Sequence, residues 1–87
     1  MYKQELTLQN EAGLHARPAS LFVRESAKYK SEILVEKDGK EYKAKSIMSI
    51  LNMGAFKGDR ITVKADGPDE REAVEGLAKL VNGKFGE

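Results

Sequence analysis

The sequence predicts a two-layer α+β domain in which helices cover one face of an antiparallel sheet. Three features carry this prediction. Several segments alternate apolar and polar residues as half-buried strands do, and others repeat apolar residues at helical spacing. The dipeptide Asp38-Gly39, between two alternating runs, is typical of a type I′ hairpin turn. Because 87 residues leave no room for a second core, we expect a single domain over residues 1–87.

The first half of the chain predicts a strand followed by a helix. Residues 2–8 alternate as a strand does. A helix should run from Ala16 to about Lys28, with Pro18 in its first turn, where its missing N–H needs no partner. Its inward face should consist of apolar residues three and four positions apart, which are Ala19, Phe22, Val23 and Ala27.

The second half predicts three strands and two helices, so that the full order is β-α-β-β-α-β-α. Residues 31–45 form two strands around the hairpin turn, and residues 60–66 form the last strand. The final helix lies within residues 67–83, where Pro68 opens it and Gly83 ends it. The acidic residues Asp69 and Glu70 in its first turn should favour it through the helix dipole.

A short helix should lie between these strands, with Ser46 as its N-cap and Gly54 at its end. We expect Ile47, Ile50 and Leu51 to share one face. A helix this short cannot turn all of its large apolar side chains inward, so some apolar surface should remain exposed. Exposed methionine would suit a surface that fits several partners.

Composition excludes several classes of function. Fifteen basic and fourteen acidic residues leave a formal charge of +1, which argues against a nucleic-acid binder. The chain has no cysteine and one histidine, so thiol chemistry is absent and a zinc site is not expected. The N-terminus does not resemble a signal peptide, and no apolar run is long enough to span a membrane. We therefore expect a cytoplasmic protein.

The stretch GLHARPAS, residues 13–20, contains the single histidine, His15. The predicted helix begins directly after it, and the residues at its start include none of the usual capping side chains. Its first N–H groups therefore have no evident acceptor, which makes an anion site of the helix start. Arg17 adds a guanidinium suited to phosphate oxygens. We infer that His15 accepts a phosphoryl group and passes it on.

Simpler explanations exist for each of these residues. His15 could be an exposed loop histidine satisfied by a neighbouring carbonyl, and Ser46 could be only a helix cap. The apolar residues Ile47, Met48 and Leu51 could belong to the core. A binding-only module is a further alternative function, whereas an autonomous hydrolase lacks an evident triad or metal-ligand spacing.

The stretches GLHARPAS and KSIMSILNMGAFKGD resemble the two signatures of HPr, the histidine-containing phosphocarrier family of the bacterial sugar phosphotransferase system. The likeness covers essentially the whole chain. It implies an open-faced β-sandwich with sheet order 1-4-2-3 and three helices on one face. It also implies that His15 takes a phosphoryl group on Nδ1 from phosphorylated enzyme I and gives it to IIA units of sugar permeases. Arg17 and the backbone N–H of Ala16 would assist, without metal or cofactor.

The resemblance further implies regulation at Ser46. In the Gram-positive-type members, an HPr kinase/phosphorylase modifies the matching serine, and the product binds the catabolite-control repressor. The chain departs from that subgroup at Ser49, where we expect glycine or another small residue, and this second hydroxyl stands beside the regulatory site. The family also implies a monomer that binds its partners without nucleic acid or membrane insertion. The partner surface would consist of Ser20, Arg24, Ile47, Met48 and Leu51.

Overall fold

The computed structural model describes residues 1–86, and its elements follow the predicted order. The elements are β1 Tyr2–Thr7, α1 Ala16–Ala27, β2 Glu32–Lys37, β3 Lys40–Lys43, α2 Ile47–Met53, β4 Arg60–Asp66 and α3 Glu70–Asn82. A 3₁₀ turn over Lys84–Gly86, which the sequence analysis did not predict, follows α3 and buries Phe85 against the core. No helix within residues 1–86 is long and apolar enough to cross a membrane.

The four strands form one antiparallel sheet in the order β1-β4-β2-β3. Leu6 lies opposite Ile61, and Val35 lies opposite Val63, so the inward residues of neighbouring strands are in register. These side chains are almost fully buried. Helix α3 packs against β1, β4 and β2, and α1 packs against both other helices. The predicted open-faced β-sandwich with order 1-4-2-3 is therefore confirmed.

Local turn chemistry behaves as the sequence indicates. Asp38 and Gly39 both have positive φ, at 53° and 80°, between the paired residues Lys37 and Lys40, which is the backbone of a type I′ hairpin turn. Gly54 ends α2 in the left-handed conformation with φ 65°. Glycine or a short polar residue at these positions avoids most of the strain that positive φ imposes on larger side chains.

The buried face of α1 differs from the prediction at the C-terminal end of the helix, where it is shifted by one residue. Ala27 is exposed, whereas Ser26 is buried. The Ser26 hydroxyl donates to the Phe22 carbonyl oxygen at 2.8 Å, one helical turn earlier. A serine whose hydroxyl finds a partner inside its own helix can be buried without leaving a polar group unpaired. Apolarity alone therefore misplaced the end of this face.

The start of α3 also differs from the prediction, because Pro68 lies in the turn before the helix and Asp69 occupies the cap position. The Asp69 carboxylate does not cap α3. It accepts instead from the backbone N–H groups of Lys30 and Ser31, at 2.8 and 2.9 Å, and from the Ser31 hydroxyl at 2.5 Å. These hydrogen bonds, led by that from the Ser31 hydroxyl, lower the pKa of Asp69 to about 2. The carboxylate thus joins the α1–β2 loop to the start of α3.

We expect the Asp69→Asn substitution to lower the melting temperature at neutral pH. We also expect the melting temperature of this variant to fall less than that of the original protein as the pH is lowered from about 4 to about 2. A carboxyl whose pKa is lower in the folded than in the unfolded state stabilises the fold fully above its unfolded value, about 3.9. That contribution is lost as the pH falls through the folded value of about 2. Thermal unfolding followed across this range measures the effect.

The control for this experiment is Asp66→Asn, which removes an exposed carboxylate 3.9 Å from the N-terminal amine. Its pH profile should stay close to that of the original protein. Identical acid profiles for Asp69→Asn and the original chain would contradict the role assigned to the Asp69 carboxylate in joining the α1–β2 loop to the start of α3.

Candidate functional site

The single histidine lies at the junction between the β1–α1 loop and α1. His15 has an extended backbone, with φ −130° and ψ 162°, and occupies the N-cap position without donating or accepting a side-chain capping bond. The predicted absence of a cap is confirmed. Ala16, the first helical residue, has φ 53°. Left-handed backbone at a non-glycine residue stores strain of about 1–2 kcal/mol, so the chain turns sharply where the imidazole is presented.

The start of α1 leaves two backbone donors for an outside acceptor. The N–H groups of Ala16 and Arg17 take part in no backbone hydrogen bond within residues 1–86. Pro18, the next residue, has no N–H to offer. Partial positive charge of the helix dipole concentrates at the same end. The Arg17 side chain is exposed, and no ion pair formed within the described part of the chain involves it.

The imidazole of His15 stacks on the ring of Phe56. The ring centroids are 4.7 Å apart and the planes are inclined by 30°, within the range of favourable aromatic pairs. Phe56 is 58% exposed, whereas His15 is half-buried. Nε2 of His15 is buried and has no hydrogen-bond partner among residues 1–86. The ring is therefore held by packing, and at Nε2 it lacks the carbonyl partner that an ordinary loop histidine would have.

Gly13 allows the β1–α1 loop, which leads to His15, to pack closely against the α2–β4 loop, which contains Phe56. Its φ is 62°, and a Cβ built there would lie 2.5 Å from the Ala55 carbonyl oxygen and 2.7 Å from Cα of Phe56. Leu14 N–H donates to the same Ala55 oxygen at 3.0 Å. Asn10, only 1% exposed, donates from Nδ2 to the Gly13 carbonyl at 2.9 Å. Only glycine lets the α2–β4 loop approach this closely.

Phe56 and Asn10 are site residues that the sequence analysis missed. The contact between His15 and Phe56 joins positions far apart in the chain, and no local periodicity reports it. The sequence contained one signal for Phe56, which is its place in the segment GAFKG. A large aromatic residue among small and charged neighbours is not part of an apolar pattern that would bury it, so another role was indicated. Within residues 1–86, no group of three or more His, Cys, Asp or Glu side chains could hold a metal ion.

Ser46 and Ser49 both accept backbone hydrogen bonds at the start of α2. The Ser46 hydroxyl accepts from Ser49 N–H at 3.3 Å, so its predicted capping position is confirmed. The Ser49 hydroxyl accepts from Lys43 N–H at 2.8 Å. Ser49 is therefore engaged with the end of β3, while Ser46 lies at the N-terminal, electropositive end of α2.

The residues of the expected partner surface lie on two helices that pack against each other. Ser20 and Arg24 are exposed on α1. On α2, Ile50 and Met53 are buried, whereas the remaining large apolar side chains are exposed, which are Ile47, Met48 and Leu51. Met48 is 65% exposed. The prediction that a helix of this length leaves apolar surface uncovered is confirmed.

A sandwich of this topology, with a histidine presented at an uncapped helix start, defines a class of small phosphocarrier domains. The chain belongs to the HPr family of the phosphotransferase system, whose family model, described as the PTS HPr component phosphorylation site, matches residues 2–83. The HPr component of this system is a phosphocarrier protein and not a stand-alone enzyme.

Individual relatives agree over nearly the full length. The chain is 43% identical to the HPr-like protein Crh of Bacillus subtilis, over 93% of this chain and 95% of that one. It is 41% identical to the phosphocarrier protein HPr of Neisseria meningitidis, over 100% of this chain and 98% of the other. The crystal structure of HPr-C-His from Thermoanaerobacter tengcongensis gives a TM-score of 0.99 at 46% identity, covering 100% and 98% of the two chains.

We expect Gly13→Ala to lower the free energy of unfolding by about 2–5 kcal/mol. The added Cβ meets backbone atoms of Ala55 and Phe56, which cannot rotate away, and the residue must also hold a positive φ. Chemical denaturation measures the loss.

The matched control is Gly54→Ala, because Gly54 has nearly the same φ, 65°, but open space where the Cβ would lie. This control should show only the smaller loss due to backbone conformation. Equal losses for the two substitutions would contradict the close approach of the loops.

Proposed function

We propose that this protein accepts a phosphoryl group on His15 from phosphorylated enzyme I and donates it to IIA units of sugar permeases. The observation that carries the proposal is the imidazole at the start of a helix whose first two amides have no backbone acceptor. Membership of a phosphocarrier family supports it. A cytoplasmic location and a monomeric state belong to the same proposal.

Nδ1 is the nucleophilic atom in this proposal. Nε2 is buried, so an incoming phosphorus atom has no approach to it. With the proton on Nε2, the lone pair of Nδ1 forms a bond to phosphorus while the bond between phosphorus and the donor breaks. The electron pair of the broken bond leaves with the donor group. Donation to the next protein is the same displacement with the imidazole as leaving group.

The start of α1 stabilises the group once it is transferred. The amides of Ala16 and Arg17 can donate to phosphoryl oxygens, and the Arg17 guanidinium adds a charge-assisted donor. A favourable charge at a helix end contributes about 0.3–1 kcal/mol, and up to about 2 kcal/mol when partly buried. This stabilisation is small enough that the phosphoryl group can be passed on, as a carrier requires.

The partners bind across α1 and α2. Ser20 and Arg24 would supply polar contacts, and the exposed apolar side chains of Ile47, Met48 and Leu51 would supply apolar area. Methionine adapts its unbranched side chain to surfaces of different shape, which suits a protein that meets both a donor and several acceptors. The two kinds of contact lie on neighbouring helices, so one face can serve both steps.

Ser46 is the regulatory site of the proposal. An HPr kinase/phosphorylase would modify it with ATP, and the catabolite-control repressor would bind the product. The similar Crh of Bacillus subtilis is described as a catabolite repression HPr, which supports this branch. A phosphate adds about −1.5 to −2 charges at a helix N-terminus, where the dipole favours negative charge. Regulation would therefore change surface charge with little change of fold.

We expect incubation with phosphoenolpyruvate and enzyme I to add one acid-labile phosphate per chain, detected by intact mass. His15→Ala should abolish the gain because no other imidazole is present. Arg17→Ala should reach the same final level more slowly, since the nucleophile remains and only a stabilising charge is lost.

Thermal unfolding of both variants is the control, because both changed residues lie at a partly exposed surface and should leave the fold intact. Full labelling of His15→Ala, or no labelling of the original chain, would contradict the proposal. In the second case, retained binding to the same partners would favour a binding-only module.

We expect the kinase/phosphorylase and ATP to place one acid-stable phosphate on Ser46. Ser46→Ala should remove the label, whereas the matched variant Ser49→Ala should keep it, because the Ser49 hydroxyl is engaged with Lys43 N–H. Peptide mass spectrometry identifies the modified residue. A label found on Ser49 would contradict the assignment.

A further inference from the structure

The proposed function leaves Phe56 without a role, although this residue touches the reacting ring. A phenylalanine that is 58% exposed contributes little to the core, so its position needs another cause. Among residues 1–86, Phe56 is an exposed large apolar residue whose ring forms an aromatic pair with His15.

The backbone around Phe56 is held in place independently of its side chain. Phe56 N–H donates to Oδ2 of Asp59 at 2.8 Å, and Asp59 N–H donates back to the Phe56 carbonyl at 3.0 Å. Gly58 N–H donates to the Leu8 carbonyl at 2.8 Å, and Leu8 N–H donates to the Asp59 carbonyl at 2.9 Å. The loop is therefore joined to the end of β1, and the backbone that carries the Phe56 ring is held by hydrogen bonds that do not involve the ring.

The stack restricts what the imidazole can do. A histidine side chain on a loop ordinarily exchanges between rotamers, and a half-turn about its Cβ–Cγ bond moves Nδ1 to the place of Cδ2 and Nε2 to the place of Cε1. The centroid of the Phe56 ring lies 4.7 Å from that of the imidazole, while Nε2 is buried. Such a half-turn would break the stack and would place a carbon, Cδ2, where Nδ1 faces the incoming group.

We propose that Phe56 is a positioning residue for phosphoryl transfer, which holds the His15 ring by stacking so that Nδ1 faces the incoming group. This inference rests on the proposed function of His15. Phe56 itself gains and loses no bond, and its effect is to raise the fraction of time that the nucleophile spends in the reactive orientation.

The test compares Phe56→Ala, Phe56→Leu and Phe56→Tyr with the original chain. The first two remove the aromatic face, and Phe56→Tyr keeps it. We expect Phe56→Ala and Phe56→Leu to lower the rate of phosphorylation at saturating phosphorylated enzyme I by about three- to tenfold. Phe56→Tyr should restore the rate to near that of the original protein.

A second measurement on the free protein separates this inference from the proposed function. Nuclear Overhauser effects and three-bond couplings of the His15 side chain report which rotamers the imidazole occupies. We expect one dominant rotamer in the original chain and in Phe56→Tyr. Phe56→Ala and Phe56→Leu should show averaging over several rotamers, together with loss of the ring-current shift on the imidazole protons. This result does not require any partner, so it stands even where phosphorylation by enzyme I fails.

Met48→Ala is the matched contact variant, because Met48 is exposed on the proposed partner surface and is not in the stack. It should raise the KM for phosphorylated enzyme I while leaving the NMR spectrum of His15 unchanged. The same pattern in Phe56→Leu would overturn the inference, since Phe56 would then act only as a contact residue. An altered ring spectrum with an unchanged saturating rate, or no change in either measurement, would overturn it as well.

Discussion

The site depends on a backbone-to-backbone contact between two loops that are distant in sequence. Where Gly13 meets Ala55 and Phe56, the atoms are so close that any side chain at position 13 would collide with the backbone. The Leu14 N–H bonds across this contact, which fixes the direction in which the chain leaves the loop. The next residue is His15, so the placement of the imidazole against Phe56 follows from this approach. The histidine is thus oriented by the packing of two loops as well as by its own helix.

Features that depend on a few neighbouring residues were predicted well. The order of elements followed from periodicity, because a strand repeats every two residues and a helix about every 3.6. The uncapped start of α1 followed from side chains that contain no suitable oxygen, and the structure confirms it. The hairpin at Asp38 followed from the positive φ values that a two-residue turn demands. In each case the deciding interaction lies within one turn of the chain.

Features that depend on distant residues were not predicted. Asp69 was assigned to the first turn of α3 on the basis of its charge, but its carboxylate binds Ser31 and Lys30, whose positions depend on tertiary packing. The buried face of α1 includes Ser26 and not Ala27, because it depends on how that helix is rotated against its neighbours. The stack of His15 on Phe56 belongs to the same class, and the sequence carries only the weak hint of an aromatic residue without a core to enter.

The proline at the third position of α1 has a consequence for the proposed carrier. A phosphoryl group on nitrogen has three terminal oxygens, whereas the helix start offers two amide donors because Pro18 has none to add. At least one oxygen is then left to the Arg17 side chain or to groups from outside the molecule. An acceptor protein can form a hydrogen bond to that oxygen while the two amides still bind the other two. Because the carrier does not saturate the phosphoryl oxygens, transfer of the group to the acceptor can begin before its contacts with the carrier are broken.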